Sequence, residues 1–203
     1  FQVTGAGYAP IGQFLKTPVA LPVDPPQEPD LLFALSIGAW CNNAHVVPGR
    51  GGGDWQVIGD PTEGALLVAA MKARIAPCHH DQHVVYEIPF DSERKMMSVV
   101  VREADQSLVI YCKGAPEVVL ERCVSQRENG AVRPLPAPRR QEISCKSAEM
   151  AGRALRVLAL ASRSLPDATA GPYDETDLVF AGLVGMLDPP RQEAKDAVRV
   201  CQE

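Results

Sequence analysis

The sequence predicts an α+β domain: a mainly antiparallel sheet of six to seven strands flanked by helices. Two observations carry that expectation. Three strand-like runs, Val84 to Phe90, Met97 to Val101 and Leu108 to Cys112, follow one another across short polar turns. Such turns leave no room for a crossover helix, so the runs pair antiparallel. Helical stretches lie before and after this block instead of alternating with each strand, which argues against a parallel, doubly wound sheet.

Taken in order, residues 1–23 read as an extended lead-in, followed by a Pro-rich connector to Pro29. A helix is expected from Asp30 as N-cap, with Leu31, Leu32, Leu35, Ala39 and Trp40 on its apolar side and Asn42-Asn43 at its end. Pro48-Gly49-Arg50-Gly51-Gly52-Gly53 reads as a hairpin tip. A Walker loop needs Gly-Lys-Ser/Thr entering a helix, and here Asp54-Trp55 follows. Asp60, Pro61 and Glu63 form a strong start signal for a second helix reaching about Ile75.

Cys78-His79-His80-Asp81-Gln82-His83 is expected to be a solvated loop and not a metal site, since a site needs three or four converging ligands with a second shell. Pro116-Glu117 opens a short helix to Cys123, and residues 125–138, polar and Pro-rich, read as a surface loop. A helix from Arg139 to Met150 is expected to end at Gly152. Ala154 to Ala161 and Leu178 to Leu187 read as buried strands joined by a loop over 164–177. Asp188-Pro189-Pro190 stops the second, and a last helix starts near Gln192.

With 203 residues, 46% hydrophobic and 22% charged, the chain suits one domain that buries roughly 70% of its unfolded surface. A net charge of −5 offers no basic surface, so no nucleic-acid partner is expected. No apolar run reaches the ~18 residues of a membrane span. The six cysteines are scattered without close pairing, which suits reduced thiols in a cytoplasmic setting.

Several side chains stand out by position. Phe90 ends a strand before a polar turn, where an aromatic either joins the core or offers a face to a flat ligand. Lys95 follows that turn, and Lys113 ends an apolar strand against Gly114, which would let a ligand approach the backbone closely. An aromatic face and two ammonium groups at strand ends suit something flat and anionic. Arg156 lies inside an apolar strand and is expected to face a carboxylate or an anionic ligand. Glu63 reads as a capping carboxylate, and Asp188 with Arg191 as a surface pair on a proline-stiffened exit. Neither Gly-x-Ser-x-Gly nor His-Glu-x-x-His occurs; a hydrolase with a different active site, and a protein-interaction or regulatory module without nucleotide binding, remain open.

The stretches Phe90-Asp91-Ser92-Glu93-Arg94-Lys95-Met96-Met97-Ser98-Val99 and Lys113-Gly114-Ala115-Pro116-Glu117 resemble the nucleotide-binding (N) domain of type II P-type cation-transporting ATPases, the group of the calcium and sodium/potassium pumps. Gly59-Asp60-Pro61-Thr62-Glu63-Gly64-Ala65-Leu66, Leu155 to Ala161 and Asp188-Pro189-Pro190-Arg191 agree with it and follow in the family's order. The resemblance implies a nucleotide-binding domain over 1–195, with 1–29 leading in from the phosphorylation domain and 188–203 forming the exit hinge back to it.

It implies that Phe90 stacks on adenine, Glu63 accepts from the adenine amino group, and Lys113 with Gly114 forms the floor of that pocket. Lys95 and Arg156 would lie near the phosphates, and Asp188 and Arg191 would help close the domains on ribose and phosphate. ATP is the implied ligand, with magnesium held mainly elsewhere. The phosphorylation and actuator domains of the same parent chain are the implied partners, in a membrane protein whose N domain lies on the cytoplasmic face; this stretch itself is expected to be soluble and monomeric. No catalytic residue is expected here, because Asp-Lys-Thr-Gly-Thr is absent; the chain is expected to bind ATP without hydrolysing it. The departure is Ser92, where calcium pumps usually carry arginine, so one phosphate contact is lost or comes from Arg94.

Overall fold

The computed structural model describes residues 1–49, 54–76, 83–165, 173–187 and 201. Its centre is a seven-stranded sheet in the order β10-β9-β12-β11-β8-β7-β6. The strands are β6 (Val84–Asp91), β7 (Met96–Arg102), β8 (Leu108–Gly114), β9 (Cys123–Glu128), β10 (Ala131–Pro134), β11 (Leu155–Leu165) and β12 (Leu178–Leu187). Only the β12/β9 pair is parallel; the other pairs are antiparallel. The α+β class and the mainly antiparallel sheet are therefore as the sequence predicts.

The sheet is covered on both faces. On the front lies α1 (Pro29–Trp40), whose Ile37 packs on Met97, Val99, Val101 and Leu160. The back holds α3 (Pro116–Arg122) and α4 (Ala137–Gly152); Val119, Leu120 and Ile143 pack there with Met96, Cys112, Ala159 and Ala161. Two-sided burial explains why β7 reads Met-Met-Ser-Val-Val-Val without polar alternation: Met96 through Val101 are all buried.

Outside α1 lies α2 (Pro61–Lys72), with Leu67 and Ala70 against Ala39. The lead-in forms a small sheet of β1 (Gln2–Val3), β2 (Phe14–Lys16) and β3 (Leu21–Val23), anchored by Phe14 against Leu35 and Ala73. Because α1 is gripped by the main sheet, by α2 and by this small sheet, it buries residues around most of its circumference and has no single apolar side. The hairpin expected around residue 50 is β4 (His45–Val47) with β5 (Gln56–Ile58); residues 50–53 at its tip lie outside the described residues.

Three expectations need correction. Residues 125–138 are not a loop: they hold most of β9 and all of β10, joined at Asn129-Gly130, whose φ angles of 52° and 76° suit a two-residue hairpin. β10 is exposed along its whole length because it is an edge strand, and Arg133 and Pro134 blunt that edge. Asp30 is not the cap of α1; Glu28 holds that position without a side-chain cap bond, and the Asp30 carboxylate instead accepts from Arg127 Nε at 3.0 Å and the Gly130 amide at 2.9 Å. α4 does end at Gly152, as expected, and the left-handed conformation that follows falls on Ala154 (φ 58°). Finally, α2 stops at Lys72, short of Ile75. The helix expected near Gln192 lies outside the described residues.

Candidate functional site

The first turn of α2 organises the front of the sheet. Asp60 caps it, its Oδ1 accepting from the amides of Thr62 at 2.8 Å and Glu63 at 3.2 Å. Burial pushes the Asp60 carboxyl up, but those amides, the Thr62 hydroxyl and nearby Arg156 outweigh it and hold the group below its usual range. Glu63 does not complete a capping box by reaching back to the Asp60 amide; its carboxylate oxygens are engaged by Lys113 and the Asn43 amide, so its side chain turns to the sheet, contrary to the capping-box expectation.

There Lys113 Nζ donates to Glu63 Oε1 at 2.6 Å and to the Cys41 carbonyl at 2.5 Å. Lys113 is only 7% exposed, because β8 is an interior strand with Met97 on one side and Leu160 on the other. An ammonium so buried requires partners, and the carboxylate plus the carbonyl supply them. Beside it, burial pushes the Cys41 thiol up to about 12, although the Lys113 charge opposes this.

The other Glu63 oxygen accepts from the Asn43 amide at 3.0 Å, and Asn43 Nδ2 donates to Glu87 Oε1 at 2.9 Å. Asn42, buried, donates to the carbonyls of Gly38 (3.0 Å) and Glu63 (2.8 Å), tying the end of α1 to α2. A continuous chain thus runs from β8 through α2 to β6.

Phe90 lies three residues beyond Glu87 on β6. In a regular strand it would face the opposite side. The register, however, shifts between Ile88, opposite Ser98, and Asp91, opposite Met96. One extra residue is accommodated there, as in a β-bulge. Counting back from Asp91 brings Phe90 abreast of Met97, whose partner on β8 is Lys113. The ring is 64% exposed, so the core role that an aromatic at a strand end would suggest does not apply.

Lys95 is exposed, with φ 52°, and its carbonyl accepts from the Ala115 amide at 2.9 Å. Gly114 is buried under this turn: a Cβ there would lie 2.6 Å from Met96 Cβ and 2.7 Å from the Lys95 carbonyl oxygen. The room left by its missing side chain is therefore taken by the protein itself, not held open for a ligand as expected.

Arg156 departs from expectation as well. It is exposed, because β8 and β11 pair only from Gly114 and Ala159 onward, leaving Leu155 to Leu158 beyond the end of β8. Its guanidinium donates to Thr62 Oγ1 at 2.5 Å, so α2's first turn meets Lys113 through one residue and Arg156 through the next. Arg94 does not stand in for Ser92 at the front; Glu175 holds it. Asp188 and Arg191 lie outside the described residues, as do positions 78–82 of the histidine run. His83 is described: its Nδ1 is 3.2 Å from the Arg102 carbonyl and its ring meets Trp40 edge-on.

The family model for the P-type ATPase cytoplasmic domain N matches residues 31–193. This chain belongs to that family. Among its relatives, the calcium-transporting ATPase of Bacillus subtilis is 36% identical over 100% of the chain, which covers 23% of that protein. The endoplasmic reticulum-type calcium-transporting ATPase 3 of Arabidopsis thaliana is 33% identical over 99% of the chain, again 23% of its own length. The probable cation-transporting ATPase F of Mycobacterium tuberculosis is 38% identical over 98%, and 22% of its length is covered. The chain thus spans about a quarter of these pumps, and among the described residues no helix of this N domain is long and apolar enough to cross a membrane.

Of the front residues of this N domain, sequence reasoning missed Asn42, Asn43 and Glu87. The Asn-Asn pair after a helix reads as a stop signal, and nothing local reveals that its amides reach Glu63 across 20 residues and Glu87 across 44. Glu87 alternates with apolar neighbours like any solvent-facing strand residue.

Proposed function

We propose that this N domain binds ATP and presents its γ-phosphoryl group to an aspartate in a separate domain of a longer cation pump. In this reading residues 1–195 form the binding domain, and Asp188 and Arg191, at the start of the 188–203 exit, close it against the phosphorylation domain. Magnesium accompanies the nucleotide and is ligated mainly by that other domain. Adenine stacks on Phe90, its amino group donates to Glu63, and Lys113 closes the floor. Lys95 and Arg156, both exposed, take the phosphate side.

The observation that carries this reading is the buried Lys113–Glu63 pair on the same face of the sheet as an exposed phenylalanine, brought there by a bulge. Each Glu63 oxygen has one described donor and a carboxylate oxygen has two lone pairs, so acceptor capacity remains for an amino group. Ring stacking contributes roughly 1–3 kcal/mol per base. With Arg94 engaged elsewhere, few charged contacts remain to offset an association cost of about 4–15 kcal/mol, so a dissociation constant near the millimolar range is expected. Weak affinity suits a domain that carries its nucleotide to a partner and releases it.

Titrating ATP into the 203-residue chain while following amide shifts tests the reading. Saturable shifts around β6 and β8 are expected, without phosphate release. Phe90→Ala should weaken binding roughly 5- to 100-fold while leaving the melting temperature nearly unchanged, because the ring is exposed. Wild-type affinity in that variant removes Phe90 from the site.

A further inference from the structure

The back of β6 and β7 carries contacts that the nucleotide reading does not use. Residues 173–177, which precede β12, lie against it. Both oxygens of Glu175 accept from Arg94 Nη1, at 2.5 and 2.6 Å, and Ser98 Oγ donates to Oε1 at 2.6 Å. Glu175 is 9% exposed. The other terminal nitrogen of Arg94, Nη2, donates to the Pro89 carbonyl at 2.5 Å. Arg163 binds Asp174 at 2.7 Å and the Thr176 carbonyl at 2.8 Å, while Tyr173 meets Tyr86 with ring centroids 5.4 Å apart. The segment is thus clamped to the sheet at both ends.

Pro89 immediately precedes Phe90, inside the register shift. A bulge leaves its extra residue without a ladder partner, and proline has no N–H to donate. Phe90 is exposed, so no surrounding core fixes its ring. The backbone that aims Phe90 is therefore held chiefly through the Pro89 carbonyl, and Arg94 holds that carbonyl. A guanidinium can grip a carboxylate with one arm and a carbonyl with the other in a fixed plane; an ammonium cannot.

We propose that Glu175 is a positioning residue for nucleotide binding: through Arg94 it fixes the bulge that turns Phe90 to the front of the sheet. The proposal rests on the reading of Phe90 as the adenine-stacking residue. It makes the segment before β12, on the opposite face, part of the binding apparatus.

The test is a double-mutant cycle on the 203-residue chain, with ATP as the probe and amide shifts as the readout. Glu175→Gln, nearly isosteric, should weaken ATP binding roughly fivefold. In a Phe90→Ala background the same substitution should change affinity no further. In the absence of nucleotide, the Phe90 amide resonance should move or broaden in Glu175→Gln. Arg127→Ala, which breaks the Asp30 pair elsewhere in the fold, should lower stability yet leave affinity and that resonance as they are. Should Glu175→Gln fail to fold, Arg94→Lys carries the same expectations. Wild-type affinity with an undisturbed Phe90 resonance overturns the proposal, as does a loss that persists in full without the phenyl ring. A wild-type chain that ignores ATP defeats the nucleotide reading itself, while the ligand-free Phe90 resonance still decides whether Glu175 orders the bulge.

Discussion

Two charged pairs, Lys113–Glu63 on the front and Arg94–Glu175 on the back, flank the same strands and are built on different plans. In the front pair both side chains are nearly enclosed, 9% and 14% exposed, and each Glu63 oxygen has a single described donor. In the back pair the carboxylate receives Arg94 on both oxygens and Ser98 on one, with its side chain 8% exposed. Glu175 accepts three described hydrogen bonds on its two oxygens and Glu63 two; the more heavily engaged carboxylate serves structure, whereas the one with more lone pairs to spare can still receive a ligand. On the proposed reading, that difference, more than the presence of charge, separates the face that binds from the one that braces.

The sharpest way to break the comparison is to remove half of the front pair. Lys113→Met leaves Glu63 shielded from water without its cation, which should cost about 3–5 kcal/mol in a urea titration. Combining it with Glu63→Leu should restore most of that loss, since an apolar pair of similar volume tolerates the site, while ATP-dependent shifts stay absent. If the double variant is as unstable as the single one, desolvation of the pair is not what the front face has to overcome. A smaller effect, about 1–3 kcal/mol, is expected for Gly114→Ala, because the new methyl meets Met96 and the Lys95 carbonyl, neither of which is a flexible chain end. Thermal unfolding that is unchanged in this variant would mean that the turn carrying Lys95 can yield.

The central strands were legible because two-sided burial and short turns leave strong local marks: β6, β7 and β8 fall where the alternation and the apolar runs put them. The Asp60 cap was equally plain, being a matter of three adjacent residues. What escaped depends on distant pairing. β9 is mixed in character and β10 exposed throughout, so their strand character comes from pairing, β9 with β12 and β10 with β9, although Asn129-Gly130 did announce a hairpin. The exposure of Arg156 follows from where β8 ends beside β11, and the facing of Phe90 from a one-residue register shift; neither is written near those residues. Glu63 looked like a capping partner because its spacing from Asp60 is that of a capping box, and spacing alone cannot show that its oxygens go to Lys113 and the Asn43 amide instead.

The finest test concerns the two carboxylates of that turn, Asp60 and Glu63, which lie three residues apart and do different work. Asp60→Asn keeps a good cap and removes only the charge, which faces the helix N-terminus and Arg156. Because the folded state holds the Asp60 carboxyl below its usual value, its charge stabilises the fold above the unfolded value of about 3.9 and loses that contribution as pH falls through the lower, folded value. The wild type should therefore melt above Asp60→Asn at pH 7, by the equivalent of roughly 0.3–1 kcal/mol, and the gap should close below about pH 4. Arg156→Gln should narrow the gap at neutral pH. A gap of constant size from pH 7 to pH 2 would place the effect in hydrogen-bond geometry, and the division of labour between Asp60 as cap and Glu63 as the partner of Lys113 would then not be electrostatic.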